Sequence, residues 1–295
     1  MRQCSVNRLL LMVCLCDLGT MFSFLCYSVW WQFLREAKPC RPGFALHQMY
    51  LLVTHTFVTI YLHSTSLWLV VGVALVRAMT LRTKLINSVW LSPRSATILT
   101  QCCFATVILL SVPVVLVHQI TELPQPQPCG TNLTNHSSTK RYLLTLASTC
   151  HTLKIYLWLM AVSCKILPCL LLSVLSGHLL SSLCRHRRRH ISLVSMQSTV
   201  GRQRSAVRRE RNITVTVVFV VSVFLVTELP QGLVSLIGAL FVNDFYVFFL
   251  PYLGDLFDLL SLLNSSVNFP VYCLTSSAYR RSFARLIRRS REITV

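Results

Sequence analysis

The sequence predicts an all-α transmembrane helical bundle of six helices. Six apolar runs carry that expectation, at 9–31, 44–76, 96–118, 146–183, 213–241 and 245–274. A bilayer core needs about 20 apolar residues per helix. The longer runs must tilt or project beyond the lipid. Composition agrees: 54% of residues are apolar and 13% charged, where a soluble domain carries about 25% charged. The third observation is where the charges lie. With the amino terminus inside, Arg2 and Arg8 are cytosolic, with four basic residues over 77–94, nine over 185–211 and six over 280–291. That places 21 of 28 Lys and Arg on one side, the positive-inside pattern.

The net charge of +19 therefore speaks for orientation in anionic lipid. It does not predict a nucleic-acid partner, because no docking motif or base-reading aromatic set accompanies it. Glu36, Glu122 and Asp244 fall outside, as expected. The first run carries Asp17 and continues to Trp31, so it reads as a signal anchor and not as a cleavable leader. Most of the 13 cysteines lie in the runs as small apolar fillers. Cys40 and Cys129 face outside, where an oxidising compartment favours a disulfide.

The segment 119–145 starts irregular, with Pro124, Pro126, Pro128 and Gly130. Its sequons at Asn132 and Asn135 are glycosylation acceptors on the outer side. The segment 184–211 is densely basic; it can touch anionic lipid, dock a cytosolic partner, or both. In the tail, Tyr279, Phe283 and Ile287 recur every four residues among arginines. Residues 276–295 thus form a cytosolic amphipathic helix and tail on the inner leaflet, after a bundle over 1–275.

Charge inside hydrocarbon is costly and marks function. Asp17 is the first case. Ser66 on the second run and Asn264, Ser265 and Asn268 on the last supply oxygens. Such a set suits a small hard cation such as sodium, or a satisfied polar packing network. No phosphate loop, metal-binding histidine pair or nucleophile elbow is visible, so neither an enzyme nor a bound metal is expected. A six-span transporter or channel fits the topology, although no inverted repeat is evident.

Asn268 with Tyr272 four residues on, near Pro270, resembles the last-helix motif of rhodopsin-class G-protein-coupled receptors, a seven-helix type. The ordered segments His63-Ser64-Thr65-Ser66-Leu67-Trp68-Leu69 with Arg77, Lys165-Ile166-Leu167-Pro168-Cys169, Thr227-Glu228-Leu229-Pro230-Gln231-Gly232 and Asn264-Ser265-Ser266-Val267-Asn268-Phe269 go further. Together they resemble the invertebrate myosuppressin and FMRFamide-like neuropeptide receptors over residues 7 to about 284. In that register the first run matches the family's second helix, so the usual first helix is expected to be missing. The resemblance also implies a bundle disulfide, with Cys40 upstream of the usual place for the helix-start cysteine.

The resemblance implies a multi-pass plasma-membrane receptor for a short amidated peptide ending in Arg-Phe-amide, signalling to a heterotrimeric G protein. A truncated form that binds without signalling is the alternative within the family. An arginine ligand calls for a carboxylate, strongest when desolvated. Asp258, with Asp255 or Glu228, is the expected partner, and His55 joins the ligand side. The same acids have internal alternatives in Lys165, His55 and His63. Arg77 and Tyr272 are the residues implied in G-protein coupling. Val76 stands where an acid usually precedes that arginine, and Ala78 where an aromatic follows. With Val76 in the place of that acid, raised signalling without ligand is expected, measured as basal second-messenger output against an empty-vector control.

Overall fold

A computed structural model describes residues 5–36, 44–82, 93–123, 140–146, 150–194, 201–241 and 250–275. The described chain is a helical bundle with one small β-hairpin. Helices α1 (Ser5–Glu36), α2 (Leu46–Arg82) and α3 (Pro93–Val117) come first. Strands β1 (His118–Glu122) and β2 (Tyr142–Leu146) follow. Then come α4 (Cys150–Leu159), a π-helical stretch at Met160–Ile166, and α5 (Leu167–Val194) continuing the same rod. Helices α6 (Gly201–Leu240) and α7 (Leu250–Thr275) complete the described elements.

Five segments are long and apolar enough to cross a membrane: Arg8–Trp31, Leu46–Met79, Arg94–Val117, His151–Ser182 and Val221–Leu240. The 26 residues of α7 span about 39 Å at 1.5 Å per residue, which also suffices. The outward faces fit lipid. Leu109, Val226 and Val174 are 73%, 74% and 72% exposed, an arrangement that would drive aggregation in water. Hydroxyls inside the spans bond back to the carbonyl four residues earlier, as in Thr20 to Cys16, Thr56 to Leu52 and Ser111 to Val107. Each such bond satisfies a polar group where no water can.

The core forms where α1, α2, α5 and α6 meet, around Leu9, Val13, Leu67, Leu69, Leu172 and Phe224. Gly19 lets α1 approach α2 closely: a Cβ there would lie 2.7 Å from Leu62 Cδ1.

Two features depart from the expected layout. The outer segment contains an antiparallel hairpin, with His118 opposite Leu146 and Glu122 opposite Tyr142. Phe44 adds a bridge, exchanging backbone bonds with Tyr142 in both directions at 2.9 Å. Ile120, Thr121, Tyr142 and Thr145 are strand-favouring types, a signal the neighbouring prolines obscured. The basic segment, read as 184–211, is largely helical because α5 and α6 extend into it; arginine is a good helix former. Lys140 pairs with Glu122 at 3.2 Å across the hairpin. That hydrogen bond raises the lysine's affinity for its proton, so the lysine side of the pair persists at neutral pH and is lost as pH rises through the lysine range. Both partners are largely exposed, so it adds little stability.

Candidate functional site

The deepest polar feature is a hub built on Glu228 of α6, which is fully buried. Lys165 donates to Glu228 Oε2 and also to Gln231 Oε1 at 3.0 Å. His63 Nε2 lies 2.8 Å from Glu228 Oε1. Asn264 Nδ2 donates to the same oxygen at 3.0 Å. Gln231 in turn donates to the Thr227 carbonyl at 3.0 Å. One carboxylate thus ties α2, the π-helical stretch, α6 and α7. Since a carboxylate only accepts, His63 presents Nε2–H to it; its Nδ1 is buried with no partner among the described residues.

Local backbone chemistry brings Lys165 there. Pro168 has no N–H and crowds the carbonyl four residues back. The chain answers with a wider turn, in which Leu167 N–H bonds Val162 O, five residues earlier. Such single π turns recur at functional sites. Gly232 completes the approach: a Cβ there would lie 3.1 Å from Lys165 Cβ and 3.3 Å from Ile166 Cγ1. Gly232→Leu should push α6 off the π stretch and open the Lys165–Glu228 contact. Surface expression should then fall several-fold, while Gly254→Leu, at a position with open space, should leave it unchanged.

Above the hub lies a cavity of about 440 Å³. Lys165, His63 and Gln231 reach its wall from the hub, and Asp258 reaches it from α7. Phe24, Tyr156 and Phe257 supply aromatic surface, and His118, Leu144 and Thr145 close it from the hairpin side. Volume and lining suit a small organic or peptide ligand.

The expected site residues separate into groups. Asp258 lines the cavity; Asp255, also on α7, is exposed and is not part of the wall. Glu228 is withdrawn below the wall, with its oxygens committed to the internal partners Lys165, His63 and Asn264. His55 is held in an aromatic cluster between α1 and α2. It stacks on Tyr27 with ring centroids 4.4 Å apart, and Ser23 bonds its Nδ1 at 2.8 Å. Asp17 is buried and accepts from Ser66 Oγ at 2.7 Å. Asn264, expected beside Asp17, gives its amide to Glu228 instead. Ser265 is buried, with Oγ unpartnered among the described residues. Arg77 is at the inner end of α2. Asn268 and Tyr272 lie on α7, but their side chains are outside the described residues, as are Cys40, Cys129, Asn132, Asn135 and the tail 276–295. The residue that sequence reasoning missed is Gln231; its place three residues after Glu228, on the same helix face, was the available signal.

Comparison with known proteins agrees with this architecture. The family model for serpentine type 7TM GPCR chemoreceptor Srw matches residues 1–290. The Caenorhabditis elegans protein named G-protein coupled receptor dmsr-1 is 26% identical over 314 residues, covering 95% of this chain and 61% of the relative. Sex peptide receptor-related protein 2 from the same organism is 32% identical over 141 residues, covering 45% of this chain and 30% of the relative. The chain thus spans less than two thirds of the length of either. A multi-pass membrane bundle matched almost end to end by one receptor family belongs to it: this chain is a member of the Srw family of serpentine G-protein-coupled receptors.

Proposed function

We propose that this chain is a receptor for a short amidated neuropeptide of the Arg-Phe-amide type and passes ligand binding to a heterotrimeric G protein. The observation that carries the reading is Asp258, a carboxylate on the wall of a cavity otherwise rich in aromatic and apolar surface. A guanidinium takes a carboxylate by two parallel bonds, and a phenyl ring takes an aromatic slot. The names of the two relatives, a G-protein coupled receptor and a sex peptide receptor-related protein, support a peptide receptor.

Signal transfer is a population shift between two bundle arrangements, biased by contacts the ligand makes in only one. Pro230 and Pro270 interrupt α6 and α7, and such prolines are where helices bend. Arg77 and Tyr272 on the inner ends of α2 and α7 would then meet the transducer. A sodium ion, if this receptor uses one, is held by Asp17 and Ser66, whose carboxylate and hydroxyl oxygens fit a hard cation.

The test is a cell line displaying the full chain at its surface, challenged with Phe-Leu-Arg-Phe-amide and with its citrulline analogue, which swaps the guanidinium for a neutral urea. A second-messenger response to the first, weakened by about 10-fold or more in the second, is expected. A displayed receptor silent to every Arg-Phe-amide peptide contradicts the reading.

A further inference from the structure

Lys165 has a role beyond holding Glu228. Its ammonium carries three N–H donors. Two are spent, on Glu228 and Gln231. The third has no acceptor among the described residues, and the side chain is 18% exposed, on the cavity wall. A buried wall that offers one charged N–H to the cavity asks for an acceptor from whatever enters.

We propose that the spare N–H of Lys165 receives the carbonyl oxygen of the ligand's C-terminal carboxamide, and that the cavity discriminates against the free acid. This rests on the peptide-receptor reading above. The charge balance decides between amide and acid. Lys165 is already matched by Glu228 in direct contact, and Asp258 on the same wall is matched by the ligand's arginine in the reading above. A carboxylate terminus would add an unmatched negative charge in a low-dielectric site, whereas a carboxamide brings an acceptor without charge.

Three peptides separate the claims on the full chain: Phe-Leu-Arg-Phe-amide, the same peptide ending in phenethylamide (ring kept, carboxamide removed), and the citrulline analogue. Each is measured on wild type and on Lys165→Gln/Glu228→Gln, which removes both charges and keeps hydrogen-bonding groups. Removing the carboxamide should cost about 10- to 100-fold in potency on wild type and less than about 3-fold on the variant. The citrulline penalty should persist on both. Should that variant fail to reach the surface, Lys165→Met/Glu228→Leu, an apolar pair of similar volume, carries the same comparison. An equal carboxamide penalty on both proteins overturns the proposal while leaving the receptor reading standing. A Lys165-dependent carboxamide penalty with no citrulline penalty supports it and removes only the guanidinium role of Asp258. Silence of wild type to all three overturns both.

Discussion

Glu228→Ala should largely abolish surface display of the receptor. The substitution leaves the Lys165 ammonium with Gln231 as its one remaining acceptor among the described residues. It also strands His63 Nε2–H and the Asn264 amide, both directed at Glu228 Oε1. Breaking a buried ion pair from one side typically costs about 3–5 kcal/mol, because an uncompensated charge stays behind. Here the loss also unties four segments at once. Replacing both charges together removes the uncompensated ammonium but still strands the His63 and Asn264 donors, so Lys165→Met/Glu228→Leu should recover part of the display lost by Glu228→Ala. The measurement is the displayed fraction of an epitope-tagged receptor, with thermal stability in detergent as a second readout. A Glu228→Ala receptor displayed and melting like wild type would show that the hub is not structural.

Asp258→Ala should separate function from folding in the opposite sense. The side chain is exposed on the cavity wall and makes no hydrogen bond among the described residues, so removing it strands no partner. Display should stay within about 2-fold of wild type. Peptide potency should fall about 10- to 100-fold, the size of a lost charge-assisted bond to a guanidinium. Asp255→Ala, off the wall, should cost much less. Equal loss of display and potency at Asp258 would sink its assignment to the ligand.

The two acids contrast although the residue pattern makes both look like ligand partners. An acid inside a span is legible as exceptional, because lipid penalises it. Which group neutralises it is not legible, since that depends on how closely two helices approach. Gly232 and the wide turn before Pro168 set that approach, and together they give Glu228 to Lys165. Asp258, two turns nearer the outer end of α7 than Ser265, makes no direct ion pair among the described residues and remains on the wall. Asn264 was legible as a buried polar residue, yet its choice of Glu228 over Asp17 is a matter of rotamer and helix rotation. The spans were legible in length and apolarity: five of the six runs contain helices long and apolar enough to cross a membrane. The hairpin was not: strands of five residues beside a proline-rich segment give too short an alternation to stand out.

Charge exchange across the cavity tests the account most directly. On Asp258→Arg, Phe-Leu-Arg-Phe-amide should lose potency by about 100-fold or more, since an attraction becomes a repulsion. A peptide with glutamate in place of its arginine should gain activity on that variant and remain weak on wild type. Recovery by the exchanged pair is the predicted result. If the glutamate peptide is inactive on a displayed Asp258→Arg receptor, or if the arginine peptide acts on it undiminished, the ligand's cation does not meet Asp258.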